Sequence, residues 1–480
     1  MSPVRSFFIV ATVFCTIFLL NELNAGEKAM GTVFNILDFG AKGDGATLDT
    51  AAIQNAVSAA VKAGGGTVLF PAGRVYRAGY VKLESHVTLF LEPNAVLKSS
   101  DNLADYYEDK ERSSKGEGLS YYFIYALNVE DIAIEGSGTV DCNGSAFWSK
   151  TYESGQTDET KPKERHPLAD DRWYRLKDKN QWKRPVTVYM RDCSGIRIEN
   201  ITIRNGAAFT VWSVNCERIL YHGITIRNSR GGPNTDGFDI DCCRIVRISD
   251  CDIETGDDCI ALKSTKRPGA KWGCQDITVM NCVLSSMACA VRVGYEGDAP
   301  LHDCVFANLV IYDSRAGLDI VSIAPQGSNW IVHGAPIDRI SFQNVVMHNV
   351  GFPIYVWAGD QNPKKDKYSG HIRDIVFSNI SADGFATSYI AGEFKGAIRN
   401  VTLRDVTLRL HDNGSEFNNN PTTSCWYGYR TAGVLRVFGA ENVVIENFRS
   451  STERKQPALA WQDTVGLEYK GKALPEAGEL

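Results

Sequence analysis

The sequence predicts an all-β protein, a right-handed parallel β-helix of one domain with an N-terminal capping helix. Three observations carry that expectation. A phrase of two short alternating strands returns nine times after about residue 190. Each phrase is centred on Asn, Asp or Gly. The intervals between those centres run unevenly from 23 to 42 residues. Alternation of β-branched with polar residues is a strand signal. The central residue suits a bend that needs positive φ or a side-chain hydrogen bond. Uneven intervals exclude helical repeats of fixed length, and the Ile/Val framework excludes leucine-rich repeats. A coil of constant strands and elastic loops satisfies all three, and internal Asn ladders are expected along the stack.

Taken in chain order, residues 1–25 read as a signal peptide. Arg5 precedes an apolar run over residues 7–20, and small residues follow at Ala25 and Gly26. That order is secretory, and the run is short for a membrane span. The remaining 26–480 form one expected domain, secreted or periplasmic. From residue 49 to 63 the pattern is an amphipathic helix with Ala52, Ile53, Ala56, Val57, Ala60 and Val61 on one face, stopped by Gly64, Gly65 and Gly66. Such a helix covers the apolar end of a stack. Polar stretches at 101–125, 149–182 and 410–430 read as long loops beside a cleft.

The strong phrases lie at 196–203, 219–226, 246–253 and 277–284, with weaker copies around Asn308, Asn344, Asn379, Asp405 and Asn447. Cys193, Cys216, Cys242, Cys251, Cys282 and Cys304 sit beside these segments. An exported chain permits disulfides, and stacked buried thiols fit the same pattern. No CxxC pair with matching ligands occurs, which argues against zinc, and the expectation is a protein with neither metal nor cofactor. The chain carries 51 Lys+Arg against 57 Asp+Glu. That balance argues against nucleic acid or an anionic membrane as partner. A monomer is expected.

Several segments resemble the polygalacturonase family, glycoside hydrolase family 28. They are Phe34-Asn-Ile-Leu-Asp-Phe-Gly-Ala-Lys-Gly-Asp-Gly45, Gly64-Gly-Gly-Thr-Val-Leu-Phe-Pro71 and Ile134-Glu-Gly-Ser-Gly-Thr-Val-Asp141. The most specific are Gly232-Pro-Asn-Thr-Asp-Gly-Phe-Asp-Ile-Asp241 and Thr255-Gly-Asp-Asp-Cys-Ile-Ala-Leu-Lys-Ser264. The resemblance implies a pectin-lyase-like β-helix and an inverting hydrolase. It makes Asp257 the general acid, with Asp236 and Asp258 holding and deprotonating the attacking water. The spacing agrees, since Asp236 and Asp257 are 21 residues apart, about one turn of the coil. Adjacent turns are roughly 4.8 Å apart, so the two can share a face. Gly256 lets both neighbouring aspartates reach it. Crowded carboxylates cannot all ionise, and a retained proton is what glycoside hydrolysis needs. Inversion calls for roughly 6.5–9.5 Å between acid and base. Asp239 and Asp241 are read as turn residues.

Two family motifs are missing. Gly-His-Gly is replaced within Met287-Ala-Cys-Ala-Val-Arg-Val-Gly294, with Ala288 at the histidine position. Arg-Ile-Lys is replaced within Gly317-Leu-Asp-Ile-Val-Ser322, with Asp319 and Val321 in place of its cations. A substrate carboxylate needs a cation or several donors. A neutral sugar of branched pectin is therefore expected near the scissile bond, rather than plain polygalacturonan. Arg292 and Lys263 are either substrate-binding cations or charges on the stack. Tyr355 is a candidate sugar-binding tyrosine. Asn234 orients the water or holds its turn. Trp212, Trp330, Trp357, Trp426 and Tyr427 are candidate stacking residues or packing residues. The competing functions are a polysaccharide lyase on the same scaffold, which needs a cation and a base, and a non-catalytic carbohydrate-binding β-helix.

Overall fold

The computed structural model describes residues 32–115, 118–149, 175–176, 182–265, 270–324, 334–360, 370–412, 433–454 and 456–480. The proposed signal segment, most of the loops at 149–182 and 410–430, Trp330, Trp426 and Tyr427 lie outside them.

Each phrase is a strand, a left-handed bend and a second strand. Ser194–Glu199 and Thr202–Arg204 flank Asn200 at φ 56°. Arg244–Ser249 and Asp252–Thr255 flank Asp250 at φ 58°. The centres Asn281, Asn308, Asn344, Asn379, Asp405 and Asn447 all have φ between 48° and 58°. Asn and Asp tolerate this conformation because their side chains hydrogen-bond locally. Every turn pairs in parallel with the turn before it. Ile196 aligns with Ile219, Ile219 with Val246, and Val246 with Ile277. Repetition of this register winds most of one 36-stranded sheet into a right-handed parallel β-helix.

Register also decides the core. In-facing positions align similar residue types, so like side chains stack along the axis. Phe306, Phe342 and Phe377 stack with centroids 4.8 and 5.2 Å apart. The Asn ladder is real but external, a correction to the internal ladder expected. Asn308 Nδ2 donates to Asn281 Oδ1 at 3.0 Å, Asn344 to Asn308 at 3.1 Å and Asn379 to Asn344 at 2.9 Å, all exposed. The bend turns its central side chain outward because the flanking apolar residues occupy the interior. Asn200 and Asn379 are accordingly exposed.

The capping helix spans Thr50–Lys62 and buries Ala52, Ile53, Ala56, Val57 and Ala60. Val61 is 44% exposed, so it leaves the expected apolar face. The helix lies against the first strands, Val33–Asn35 and Gly66–Phe70. The far end is closed differently: Leu459–Gln462 pairs antiparallel with Gly478–Glu479, which blocks further parallel pairing. The 101–125 stretch is not simply loop. It holds the helix Lys110–Lys115 and the start of the strand Tyr121–Leu127.

The cysteines are packing residues. Cys142, Cys193, Cys216, Cys243, Cys251, Cys259, Cys274, Cys282 and Cys304 are unlinked and buried, and Cys242 is buried too. The backbone N–H of Cys193 donates to Cys216 Sγ at 3.4 Å, and that of Cys216 to Cys243 Sγ at 3.4 Å. Sulfur here fills the corner of three successive turns. Among the described residues no helix is long and apolar enough to cross a membrane.

Candidate functional site

Four consecutive strands of one ladder carry the site. Val211–Val214, Phe238–Asp241, Ile260–Ser264 and Cys289–Gly297 lie side by side. Their outward positions continue into the next turns, where Arg292 aligns with Asp319 and Asp319 with Tyr355. Short bends precede the second and third of these strands, and they deliver Asp236 and the Asp257–Asp258 pair.

The bends are held tightly. Thr210 N–H donates to the Asp236 carbonyl at 2.9 Å, and Gly237 N–H to the Asp258 carbonyl at 2.8 Å. Ser286 Oγ donates to the Asp257 carbonyl at 2.7 Å. Gly256 is required by close approach rather than by φ. A Cβ there would lie 2.4 Å from the Gly232 carbonyl oxygen. Both aspartates therefore reach the cavity, as the sequence suggested. Cys289 N–H donates to Asp258 Oδ1 at 3.0 Å.

Asp236, Asp257 and Asp258 each offer an oxygen within 4.8 Å of those of the other two. They line a cavity of about 300 Å³ that also includes Asn234, Lys263, Arg292 and Tyr355. The three acids and the four candidate binding residues thus meet at one place, whereas Trp212 and Trp357 do not line it. The expected 6.5–9.5 Å separation is not met by these closest oxygens. Neighbouring turns lie about 4.8 Å apart, and that rise brings the near edges of the carboxylates together. Such oxygens are also of the type a hard cation takes, but Lys263 and Arg292 already bring positive charge to the cluster.

Lys263 is buried and its ammonium serves carboxylates. Nζ lies 2.8 Å from Asp239 Oδ1, 2.9 Å from Glu296 Oε2 and 3.7 Å from Asp236 Oδ2. Burial opposes its charge, yet Asp239, Glu296 and Asp236 outweigh that and hold its pKa well above the ordinary value. Arg292 Nε lies 3.4 Å from Asp258 Oδ2, and Nη1 lies 3.6 Å from Asp319 Oδ1. Asn234, at φ 49°, accepts from Arg184 Nη2 at 2.9 Å. Tyr355 is buried against Phe352 and Tyr389, with centroids 5.9 and 5.6 Å away. Trp212 packs edge-on to Tyr189 and Phe209.

Burial pushes the Asp236 carboxyl well up, and the charges of Asp239 and Asp257 add to this. Burial likewise raises Asp239 to about 7, with Lys263 working against it. Asp319 is raised to about 6 by burial, moderated by Arg292. Burial and crowding thus favour a retained proton within the carboxylate group, held most strongly at Asp236.

Asp239 and Asp241 correct the sequence reading. Both lie on the strand Phe238–Asp241, fully buried, rather than in a turn. Asp241 accepts from Thr265 N–H at 2.9 Å and from Thr265 Oγ1 at 2.6 Å. Sequence reasoning missed Arg184, Phe209, Tyr295, Glu296 and Arg315, of which all but Arg184 line the cavity. The Gly-Tyr-Glu-Gly stretch at 294–297 was a signal for a backbone irregularity there.

Comparison with known proteins agrees with this arrangement. The sequence model of "Glycosyl hydrolases family 28" matches residues 169–425. The chain is 28% identical over 443 residues to a "Probable polygalacturonase" of Vitis vinifera, covering 84% of each. Its fold is similar to the family 28 exopolygalacturonase of Yersinia enterocolitica, with a TM-score of 0.69 and 21% identity over 92% of this chain and 79% of that one. It is also similar in fold to an endo-xylogalacturonan hydrolase of Aspergillus tubingensis, with a TM-score of 0.55 and 15% identity over 93% and 98% of the two chains. Since the matched segment is more than half of the sequence and contains Asp236, Asp257 and Asp258, the lyase and the non-catalytic readings give way: the chain belongs to the glycosyl hydrolases of family 28 and is a polygalacturonase-like glycoside hydrolase.

Proposed function

We propose that this chain is an exported, monomeric, inverting hydrolase that cleaves a pectin-like polysaccharide or oligosaccharide beside a neutral sugar. Asp257 protonates the leaving oxygen. Asp236 and Asp258 hold the attacking water and take its proton. The observation that carries the reading is the meeting of these three carboxylates, within 4.8 Å of one another, in the cavity. Asp257 is half-buried, whereas Asp236 and Asp258 are buried. The outermost acid is thus placed to meet a glycosidic oxygen, and the inner pair to hold water. Because the carboxylates are close, the water sits beside the inner pair rather than between acid and base. Asn234, fixed by Arg184, borders that position. Tyr355 shapes the wall, while Lys263 and Arg292 keep the carboxylates in place.

The charge around the cavity supports a neutral sugar. Asp319 stands one rung beyond Arg292 and shares its guanidinium with Asp258. A uronate carboxylate placed there would meet like charge and a cation already engaged. The deciding experiment is a panel of defined pectic oligosaccharides, with Asp257→Asn as control and NMR of the first product anomer. Cleavage beside galactose or rhamnose with inverted configuration is expected. Preference for unbranched polygalacturonate would overturn the substrate, and a retained anomer would overturn the stereochemistry.

A further inference from the structure

The strand Cys289–Gly297 leaves its ladder at one point. Leu262 pairs with Val293 and Ser264 with Gly297. Lys263 alone therefore spans the interval that Gly294, Tyr295 and Glu296 fill on the next turn. Such a bulge re-aims side chains and raises local twist. Its backbone is specialised. Gly294 has φ 90° and Gly297 has φ 129°, and a Cβ on either would come within 2.2 Å of backbone atoms of Val321 or Ser264. Tyr295 between them has φ 66°. A bulky side chain in that conformation is sterically disfavoured, and strain of this kind persists where the surroundings enforce it.

What the bulge brings to the cavity is Glu296. Its Oε2 lies 2.9 Å from Lys263 Nζ. Of the three carboxylates around that ammonium, the side chains of Asp239 and Asp236 are 0% and 4% exposed, and that of Glu296 is 39% exposed. The ammonium also faces the Phe209 ring at 4.2 Å. Glu296 is therefore anchored from behind and open toward the cavity. Its cation is already shared with two buried acids, so a further carboxylate arriving there meets the Glu296 carboxylate and a cation already engaged. A sugar hydroxyl arriving there finds a fixed acceptor.

We infer that Glu296 is a specificity-determining residue: its carboxylate, oriented by Lys263, accepts hydrogen bonds from the hydroxyls of a neutral sugar and turns a uronate away. The inference rests on the reading of substrate given above and names the group that enforces it. Discrimination of this kind combines an attractive and a repulsive element.

The test compares wild type, Glu296→Gln, Glu296→Ala and Glu296→Asp on two oligosaccharides that differ only at C6 of the sugar beside the scissile bond, hydroxymethyl in one and carboxylate in the other. In Glu296→Gln the ratio of kcat/KM values, neutral over uronate, is expected to contract at least about tenfold, chiefly through KM. Glu296→Ala should behave alike, and Glu296→Asp should keep most of the discrimination. An unchanged ratio in both Gln and Ala variants, with melting temperatures like wild type, overturns the inference. The wild-type preference decides the substrate reading separately. If wild type favours the uronate, that reading fails, and the contraction or its absence in Glu296→Gln still decides the role of Glu296.

Discussion

Asp319 stands in register with Arg292 across one rung of the ladder, its Oδ1 3.6 Å from Nη1. The pair is buried, with side-chain exposures of 1% and 11%. Asp319 nonetheless keeps a pKa of about 6, because burial outweighs the attraction of the guanidinium. A carboxyl raised above its ordinary value stabilises the fold below that value and loses the contribution as pH rises through the folded pKa. Between about pH 4 and about pH 7, Asp319 and Asp239 both erode stability as they ionise. The fall in melting temperature across that window should be smaller in Asp319→Asn than in wild type. An equal fall in both proteins would remove Asp319 as a source.

Asparagine at any of the three clustered aspartates should abolish most turnover. A decrease of about 10²–10⁴ in kcat is expected for Asp257→Asn, the range for loss of a general acid. Oligosaccharide affinity, measured by calorimetry, should stay within a few-fold. Lost affinity with unchanged kcat would assign Asp257 to binding instead.

The phenylalanine stack is a sensitive point of the core. Phe342 lies between Phe306 and Phe377 at 4.8 and 5.2 Å and is fully buried. Phe342→Ala should lower unfolding stability by about 3–5 kcal/mol, read from denaturant curves. Activity of the folded fraction should persist, since Phe342 is not among the cavity residues.

One bend is strained and exposed. Ile245 has φ 55°, where the corresponding bends of neighbouring turns use Gly195, Arg218, Asp276 and Asp303, and it is 38% exposed. A β-branched residue gains nothing there from local hydrogen bonding. Ile245→Asn should raise stability by about 1 kcal/mol. A loss of that size would show that the exposed side chain contributes packing that outweighs the strain.

Cys193, Cys216 and Cys243 should resist alkylation in the native protein and react fully in denaturant. Burial raises the pKa of Cys216 and Cys243, and the Cys216 contact followed by burial raises that of Cys193. Peptide mapping after labelling reads each thiol separately. Rapid native labelling at Cys216 would mean that the turns open locally.

The bends were legible in the sequence because a left-handed residue between alternating strands has few chemical solutions, and Asn200, Asp250 and Asn281 are among them. The carboxylate cluster was legible for a related reason: one winding separates Asp236 from Asp257. Other features depended on relations between distant residues. Lys263 takes its partners from Asp239 on one adjacent turn and Glu296 on the other, and no local pattern announces that. The outward placement of the Asn ladder depends on which flanking residues fill the interior. Whether cysteines bridge or stack turns on distances between turns, which composition does not contain. The glycines that flank Tyr295 and Glu296 mark an irregular backbone, but that it is a bulge opposite Lys263 is visible only against the neighbouring strand.

The division of the reactive group between consecutive windings has a consequence for its inheritance. Asp236 and the Asp257–Asp258 pair sit on short bends that are brought together by the lateral hydrogen bonds of Phe238–Asp241 to Ile260–Ser264. Inserting or deleting residues between these strands leaves the chemistry standing as long as the lateral pairing re-forms in phase. A slip of one residue would turn the acid and its partners to opposite sides of the wall. Loop length is therefore free to drift across descendants of this sequence, while phase is not.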